Sequence, residues 1–394
     1  MKKFFSNIHL WLSIPFGIII ATICLTGAIL VFETEILQLC YPSRYFVKEV
    51  KGSPQPPDVL IKAARQQLPD SIRINGIRAY SDPERTWQII VPGKKTACFI
   101  DPYTAEITGF DSGQGFFMKT MRIHRWLLDE YKRDGSFSWG KTLTGYATLA
   151  LAVILISGLV IWFPRSRKAL KNRLKVKTGS GGFRLLHDLH VSGGFYAALL
   201  LLAISLTGLT WSFGWYRNLF YSAFGVSGNL PSAHAPITAA KPSGEKAGKD
   251  KDKKEGKDGK SEGNGHATPS DRKGKPQQKT TDYTHWAEVL ADLQNRHPEY
   301  KSITLQDGSA SVSTGRYGNT IGSDRYAFDP GTGEIIKAQL YKDLPKSGKI
   351  RGWVYSVHIG SWGGMTTRIL SCLASLFGAV LVITGYYLWI KKRF

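Results

Sequence analysis

The sequence predicts a mainly α-helical membrane protein in which four transmembrane helices form two parallel repeats, each with an extracytoplasmic α+β domain. Two observations lead to this fold class. Four apolar runs reach the roughly 20 residues that a helix needs to cross a bilayer. In addition, motifs in the first half of the 394-residue chain recur at a fixed offset in the second half, which indicates a duplication.

The four predicted spans are separated by two long polar inserts. The spans cover residues 8–31, 143–163, 191–213 and 369–390. The chain therefore divides into helix 1 (1–32), a first outer domain (33–120), a histidine segment with helix 2 (121–164), a basic loop (165–186), helix 3 (187–213), a second outer region (214–350) and a histidine segment with helix 4 (351–394).

The basic residues predict the orientation of the spans, because short cytoplasmic connections are rich in Lys and Arg. The segment FPRSRKALKNRLKVK after the second span contains seven basic side chains, the chain begins MKK and it ends IKKRF. We therefore expect both termini and the middle loop on the cytoplasmic side of the membrane, and both long inserts on the opposite side.

The net charge of +22 does not indicate nucleic-acid binding, because much of it flanks the spans or lies in residues 241–280. In that stretch Lys is mixed with Asp and Glu, and apolar residues are nearly absent. Such a composition cannot bury a core. We predict a disordered linker over residues 236–282.

Each insert carries the signals of one helix and a few antiparallel strands. The helices are predicted in PPDVLIKAARQQLP and THWAEVLADLQNRHP, which have apolar residues at helical spacing. FIDPYTAEITGF and AFDPGTGEIIKA each indicate a strand, a tight turn and a second strand. The two inserts are thus copies of one small α+β domain.

The repeat also places histidines. A shift of 181 residues puts the LTG of residues 25–27 on the LTG of residues 206–208, and it puts His9 on His190. Both histidines lie at the predicted cytoplasmic end of a span. An ionisable side chain at this depth is costly and therefore indicates a functional site.

The other two spans correspond more loosely. SGLVIW at residues 157–162 matches TGYYLW at residues 384–389, and a lone histidine precedes each, His124 in MRIHRWLL and His358 in VYSVHIGSWGG. The spacing from histidine to span differs by seven residues between the copies. Both histidines are expected on the outer side of the membrane.

Each histidine alone could be an interfacial or surface side chain, but four that are arranged by a repeat favour ligation. Zinc usually takes four ligands, and each face supplies too few unless His187 joins His9 and His190. Haem needs only two axial imidazoles. The sequence therefore favours two haems, one near each face: His9 with His190 would hold the inner one, and His124 and His358 are the candidate ligands of the outer one, whose pairing the unequal spacing leaves open.

Such haems would be b-type, because the sequence contains no CxxCH attachment motif. Ligation by two histidines leaves no open iron position, so each haem would carry electrons rather than bind substrate. The role of His187, one turn before His190, stays open: it could replace His190, bond a propionate or orient the site. The sequence identifies no catalytic residue.

These residues together resemble the PepSY-associated transmembrane helix family over nearly the whole chain apart from the Lys/Gly-rich linker. The resemblance rests on these segments: IHLWLSIPFG and LTGAILVF in span 1, the DPYTAEITG turn, MRIHRWLL before span 2, DLHVSGGFYAALLLLAISLTG in span 3, and VHIGSWGG followed by ITGYYLW in span 4. The family's histidines map onto His9, His124, His190 and His358.

The resemblance implies a bacterial inner-membrane protein with periplasmic PepSY domains, in a group that includes di-haem ferric-siderophore reductases. Electrons would pass from a quinol or a separate cytoplasmic reductase, through the inner and outer haems, to the iron of a ferric siderophore. The expected partners are thus the lipid bilayer, that donor and the siderophore, with no nucleic acid.

A different class of function remains open. The chain could be a non-enzymatic PepSY membrane protein that binds or regulates a periplasmic protease or envelope factor. In that case the function would not require the matched histidines, and replacing them would leave it intact.

Overall fold

The computed structural model describes residues 1–92, 96–129, 137–164, 166–179, 181–226 and 281–393. Of the predicted linker, residues 236–280 lie outside this described part. Four helices in it are long and apolar enough to cross a membrane, and they confirm the four predicted spans. They are span 1 (Lys2–Val31), span 2 (Trp139–Trp162), span 3 (Gly182–Ser212) and span 4 (Ser361–Lys392).

The described α-helices, numbered in chain order, include the spans and the shorter helices that connect them to the sheet. They are α1 (Lys2–Val31), α2 (Glu33–Cys40), α3 (Pro42–Tyr45), α4 (Pro57–Gln67), α5 (Phe116–Trp126), α6 (Trp139–Trp162), α7 (Arg167–Arg173), α8 (Gly182–Asp188), α9 (Gly194–Ser212), α10 (Gly214–Ser222), α11 (Trp286–Arg296), α12 (Lys346–His358) and α13 (Gly364–Arg393).

The spans form a four-helix bundle in which α1 and α9 lie diagonally opposite. Each of them packs against both α6 and α13. Small residues bring the helices close, as is common in membranes; Ala147 and Ala379 pack beside Ile20 of α1, and Ala198 packs beside Leu155 of α6. This arrangement turns one side of α1 toward one side of α9 across the bundle centre.

Span 3 is interrupted by one π-helical turn, Leu189–Gly193, which joins α8 to α9. Such turns occur frequently at functional sites because they re-aim side chains within a helix. A Cβ atom at Gly193 would overlap the ring of Phe377. The glycine therefore lets α13 approach the turn that carries His190.

The inserts between the spans build one sheet of eight antiparallel strands in the order β4-β3-β2-β1-β5-β6-β7-β8. The strands are β1 (Gly76–Tyr80), β2 (Trp87–Ile90), β3 (Ala97–Ile100), β4 (Ile107–Asp111), β5 (Ser302–Gln306), β6 (Ser309–Ser313), β7 (Ser323–Phe328) and β8 (Ile335–Gln339). The predicted strand-turn-strand units are β3–β4 and β7–β8.

The two copies of the insert domain are joined edge to edge. Strand β1 pairs with β5 over five residues, from Gly76 opposite Gln306 to Tyr80 opposite Ser302. Each copy alone would expose the edge of its first strand, and the pairing removes both edges. The sequence predicts two separate domains and gives no indication of this pairing. The residue pattern of an edge strand does not show which other strand it pairs with.

The core of the sheet domain lies on one face, under helices α4 and α11. Its most buried members come from both copies and include Leu60, Ile77, Trp286, Leu305 and Phe328. This face carries the alternating apolar residues of every central strand. The joined sheet therefore folds around one hydrophobic core.

The sheet domain is connected to the helices of the bundle end at two places. At the β3 end, Tyr45 of α3 packs edge-on against Phe99, with ring centres 4.7 Å apart. At the β6–β7 end, the connecting loop binds α12: the backbone N–H of Thr320 donates to Oγ of Ser356 (2.9 Å) and the Asn319 amide donates to the carbonyl of Lys349 (3.1 Å).

An ion pair fastens span 1 to span 4 where the bundle meets the sheet. Arg368 at the start of α13 donates to both carboxylate oxygens of Glu35, one at 2.6 Å, and to the carbonyl of Val31. The Arg368 hydrogen bond lowers the pKa of Glu35 from its ordinary value of 4.5. The ionised carboxylate is therefore the form that stabilises this contact.

We expect the thermal unfolding midpoint of the purified protein to fall as the pH drops below about 4.5. The depressed pKa of folded Glu35 contributes stability above the unfolded value, and this contribution is lost on acidification. Glu35→Gln should lower the midpoint at neutral pH and flatten this part of the pH dependence. Glu49→Gln, at an exposed carboxylate, is the control; equal profiles for both variants would contradict the role of Glu35.

We expect Gly76→Ala to weaken the joint between the two copies, because a Cβ atom there would overlap the backbone carbonyl oxygen of Leu305. Such overpacking costs about 1–3 kcal/mol. The measurement is the unfolding of the sheet domain followed by tryptophan fluorescence, since Trp87 and Trp286 lie in the core. Gly115→Ala, where a Cβ meets no atom within 4 Å, should leave unfolding unchanged.

Candidate functional site

The first histidine pair lies at the end of the bundle that carries both chain termini. His9 of span 1 and His190 of span 3 face each other across the bundle centre, with ring centres 6.3 Å apart and ring planes at 85°. The diagonal arrangement of α1 and α9 makes this meeting possible. The structure thus places these two residues together, as the repeat in the sequence pairs them.

The second pair lies at the end of the bundle next to the sheet. His124 is on α5 and His358 is the last residue of α12. Their ring centres are 6.2 Å apart and their planes are at 52°. Both helices precede a span and fold back against the bundle, so the unequal spacing of these histidines from their spans does not separate them.

All four histidine rings are held through the same ring nitrogen, Nδ1. In each ring, Nδ1 lies 3.0 Å from an oxygen of a neighbouring span. The acceptors are the Ile154 carbonyl for His9, the Ile23 carbonyl for His124, the Ile204 carbonyl for His358 and the Thr384 hydroxyl for His190.

These hydrogen bonds fix the tautomer. A carbonyl can only accept, so Nδ1 of His9, His124 and His358 carries the proton. Thr384 donates its own hydroxyl to carbonyls of α13, at 2.9 and 3.1 Å, and therefore accepts from His190. In the neutral ring this leaves the lone pair of Nε2 available, which is the arrangement that protein metal sites use to orient histidine ligands.

A glycine beside each ring makes room for it. An added Cβ would lie 2.9–3.2 Å from Cε1 of the ring in all four cases, closer than nearly all real contacts. The glycines are Gly158 beside His9, Gly385 beside His190, Gly27 beside His124 and Gly208 beside His358. Ring and glycine are therefore packed as a unit.

The acceptor and the glycine belong to one short motif, which we call the docking motif. It begins with Ile or Leu, whose carbonyl lies three residues before a Ser or Thr, and it ends with Gly. Every span contains one copy: ICLTG (23–27), ILISG (154–158), ISLTG (204–208) and LVITG (381–385).

The repeat by itself does not reveal this fourfold recurrence, because it relates span 1 only to span 3 and span 2 only to span 4. Matching all four spans with one another would have revealed it. The copies of the docking motif in spans 1 and 3 contact the histidines at the end of the bundle next to the sheet. The copies in spans 2 and 4 contact the histidines at the end that carries both chain termini. The hydroxyls of Thr26, Ser157 and Thr384 lie 3.0–3.3 Å from a histidine Nδ1 and are therefore site residues that the repeat alone does not reveal.

The spacing of the rings suits one metal ion between them. Two nitrogens bound on opposite sides of a metal at about 2 Å each place the ring centres about 6 Å apart, as in both pairs here. In the described part of the chain, no group of three or more His, Cys, Asp or Glu side chains could hold a metal ion. Each pair can thus offer two axial ligands, but not a complete zinc site.

The pair at the sheet end is held neutral. Burial, together with the neighbouring His358 and Arg125, lowers the pKa of His124 to about 4. Burial also lowers the pKa of His358. Neutral imidazoles are the forms that ligate metals, so both rings are ready to do so at physiological pH.

His187 does not belong to either pair. Its side chain is 45% exposed, and its Nδ1 lies 3.3 Å from the carboxylate of Asp188, which also accepts from Arg184. The structure places His190 opposite His9 and leaves His187 at the rim.

The two pairs lie at opposite ends of the bundle. Along α1, His9 and the Gly27 that contacts His124 are 18 residues apart, or about 27 Å in a helix. The hydrocarbon core of a bilayer is about 30 Å thick. Each pair therefore lies near one membrane face, and the helices between them connect the two sites.

The fold and the paired histidines define an integral membrane protein of two repeats, each with a span, an outer α+β domain, a histidine-bearing helix and a second span. The chain belongs to the family described as the PepSY-associated TM region, whose model matches residues 6–392. This confirms the resemblance found in the sequence. No curated protein matches the chain.

We expect Gly27→Ala to destabilise the protein by about 1–3 kcal/mol because its methyl group crowds the His124 ring. In a His124→Ala background the same change should cost almost nothing, since the crowded ring is absent. A double-mutant cycle of thermal unfolding measures this coupling. Gly214→Ala, where nothing lies within 4 Å, is the control, and additive effects would contradict the packing of ring and glycine as a unit.

Proposed function

We propose that each histidine pair binds one b-type haem and that the protein carries electrons across the bacterial inner membrane to ferric siderophores in the periplasm. The observation that carries this proposal is the geometry of the two pairs: four Nδ1 atoms bound at 3.0 Å and ring separations of 6.3 and 6.2 Å. Two pairs at opposite faces suit a function that connects the faces.

The residues present fit a haem better than they fit a bare metal ion. Each pair would supply two neutral imidazole nitrogens to the iron of a haem, and the porphyrin would supply its other ligands. A bis-imidazole haem supplies reversible one-electron transfer between Fe(III) and Fe(II). His9 with His190 would hold the haem at the terminal end, and His124 with His358 would hold the haem at the sheet end.

The task of the protein side chains is to fix these ligands. The docking motifs hold each ring in one tautomer and one orientation, which keeps Nε2 directed at the same point. Such outer hydrogen bonds also raise the basicity of the ligating nitrogen. The small residues of the bundle keep the spans close and exclude water between the two sites.

The charges at the end of the bundle that carries the termini support a cytoplasmic location for that end. Lys2 donates to the carbonyl of Ile161 (3.2 Å), and Arg173 donates to the same oxygen (3.2 Å). These cations stabilise the carbonyl end of α6 and belong to the basic segments that are expected in the cytoplasm. The sheet domain then lies in the periplasm.

This orientation defines the two reactions. A quinol or a separate cytoplasmic reductase gives electrons to the terminal end, since the chain has no nucleotide or flavin motif of its own. At the sheet end, one electron reduces one Fe(III) of a siderophore to Fe(II). Hard oxygen ligands bind Fe(II) more weakly, so reduction releases the iron. No proton transfer by this chain is needed for that step.

We expect the protein purified from haem-replete cells to contain about two b-haems per chain, each with bis-histidine ligation. His9→Ala and His124→Ala should each lose about one of them, because each removes one axial ligand of one pair. The measurement is a pyridine haemochromogen assay with reduced-minus-oxidised spectra. His285→Ala, at a half-buried histidine of the sheet domain that belongs to neither pair, is the matched control and should keep both haems.

Oxidation of the reduced protein by ferric chelates tests the activity. The reduced wild-type protein should reoxidise with production of Fe(II), and His124→Ala should fail to do so. Absence of haem from the wild-type protein would overturn the proposal. Normal cellular function of a chain that lacks all four histidines would instead favour a PepSY protein that regulates a protease or envelope factor.

A further inference from the structure

The loop between β6 and β7, residues 314–322, holds the helix that ends in His358. The backbone N–H of its Thr320 donates to Oγ of Ser356 (2.9 Å), and Oγ1 of Thr320 lies 3.1 Å from the same oxygen. Ser356 is completely buried and precedes His358 by two residues. The loop therefore binds α12 just before its histidine.

The same loop also contacts the chain on the other side of His358. Oγ1 of Thr320 lies 2.7 Å from Oγ of Ser361, which begins the short 3₁₀ helix after α12. The backbone N–H of Gly318 donates to the carbonyl of Trp362 (2.8 Å). The loop thus holds the chain both before and after the histidine.

The direction of these hydrogen bonds can be assigned from the protons available. Ser356 donates its hydroxyl to the carbonyl of Gly352 (2.9 Å), so it accepts in both contacts with Thr320. The single hydroxyl proton of Thr320 is therefore given to Ser356, and Ser361 donates to Thr320. Removing the Thr320 hydroxyl would break the connection between the two serines.

Asn319 occupies the space beside a glycine of α12. It is 4% exposed, and its amide donates to the carbonyl of Lys349 (3.1 Å) and the hydroxyl of Tyr341 (2.8 Å). An added Cβ at Gly352 would lie 2.1 Å from Oδ1 of Asn319, whereas at Gly348, one turn earlier, the nearest atom is 4.0 Å away. The close fit is thus specific to the part of α12 that the loop contacts.

The loop is in turn fixed to the sheet. Arg316 donates to the buried carboxylate of Asp324 in β7 (2.8 Å) and lies over the ring of Tyr341, 4.9 Å from its centre. The other carboxylate oxygen of Asp324 accepts from the backbone N–H of Tyr341 (2.6 Å). A movement of this end of the sheet would therefore carry Asn319 and Thr320 with it.

The helix of the other outer histidine is held by a different element. Beyond the end of α5, a carboxylate oxygen of Asp129 accepts from the hydroxyl of Ser138 (2.7 Å) and from the backbone N–H of Gly140 (3.1 Å) at the start of span 2. These contacts tie the helix of His124 to the bundle, whereas those of Thr320 tie the helix of His358 to the sheet.

We propose that the β6–β7 loop, through Thr320 and Asn319, positions His358, so that the sheet domain determines how firmly this ligand is held at the outer site. This inference rests on the proposed function and concerns the regulation of its outer haem. The carbonyl of Ile204 in span 3 orients the ring, and the loop holds the end of the helix that carries it. When the loop is loosened, His358 leaves the iron more often and opens a coordination position.

Carbon monoxide measures how firmly His358 is held, because it binds a reduced bis-histidine haem only after an axial histidine has dissociated. The reference is purified His9→Ala protein, which should keep only the haem at the sheet end. In it, Thr320→Val should bind carbon monoxide about fivefold faster, the factor expected for the loss of one neutral hydrogen bond. Thr320→Ser keeps the hydroxyl and should bind at the reference rate.

Two matched controls locate the effect. Gly352→Ala should also accelerate binding, because its methyl group displaces Asn319, whereas Gly348→Ala on the same helix should not. In a His124→Ala background, which should keep only the haem at the terminal end, Thr320→Val should change nothing. Unchanged rates at the outer haem in both Thr320→Val and Gly352→Ala would overturn the inference, and so would an equal acceleration at the inner haem.

Hydrogen exchange separates this inference from the proposed function, since it needs no bound haem. In the full-length protein, Thr320→Val should accelerate amide exchange in residues 353–363 and leave residues 119–127 around His124 unchanged. If the wild type lacks haem, the electron-transfer proposal fails, and exchange alone decides whether the loop holds the His358 segment. If haem and reduction are normal but neither carbon monoxide binding nor exchange responds, only the positioning role fails.

Discussion

The cost of placing an imidazole inside a membrane bundle is the constraint on which this structure depends. An unsatisfied ring N–H in an apolar environment costs several kcal/mol, and each of the four Nδ1 atoms avoids this cost by binding an oxygen of a neighbouring span at 3.0 Å. The same bond keeps the proton on Nδ1, so that Nε2 of the neutral ring keeps its lone pair.

The docking motif explains how four helices achieve this in the same way. A carbonyl, a Ser or Thr hydroxyl and a Gly stand in fixed order on each span, and each copy receives a histidine from elsewhere in the chain. Because the spans are alternately antiparallel, copies in spans 1 and 3 serve one end of the bundle and copies in spans 2 and 4 serve the other. One local solution, used four times, gives two similar sites at opposite faces.

The joined sheet gives the two repeats one common outer domain and breaks their equivalence. Its β6–β7 loop binds α12, close to His358, through Thr320 and Asn319. The first repeat approaches the sheet instead through α3 and Tyr45. The two repeats therefore contact the sheet domain through different residues.

The sequence by itself determined the spans, the duplication, the helix and strand content of the inserts and the four histidines, because each of these depends on local composition or on periodicity. It also determined the pairing of His9 with His190, which follows from equal positions in the repeat. Only the tertiary structure decided that His124 meets His358, since their unequal spacing from the spans is compensated by helices that fold back. The β1–β5 joint and the exclusion of His187 from both pairs depend in the same way on contacts between residues far apart in the chain, which no local pattern records.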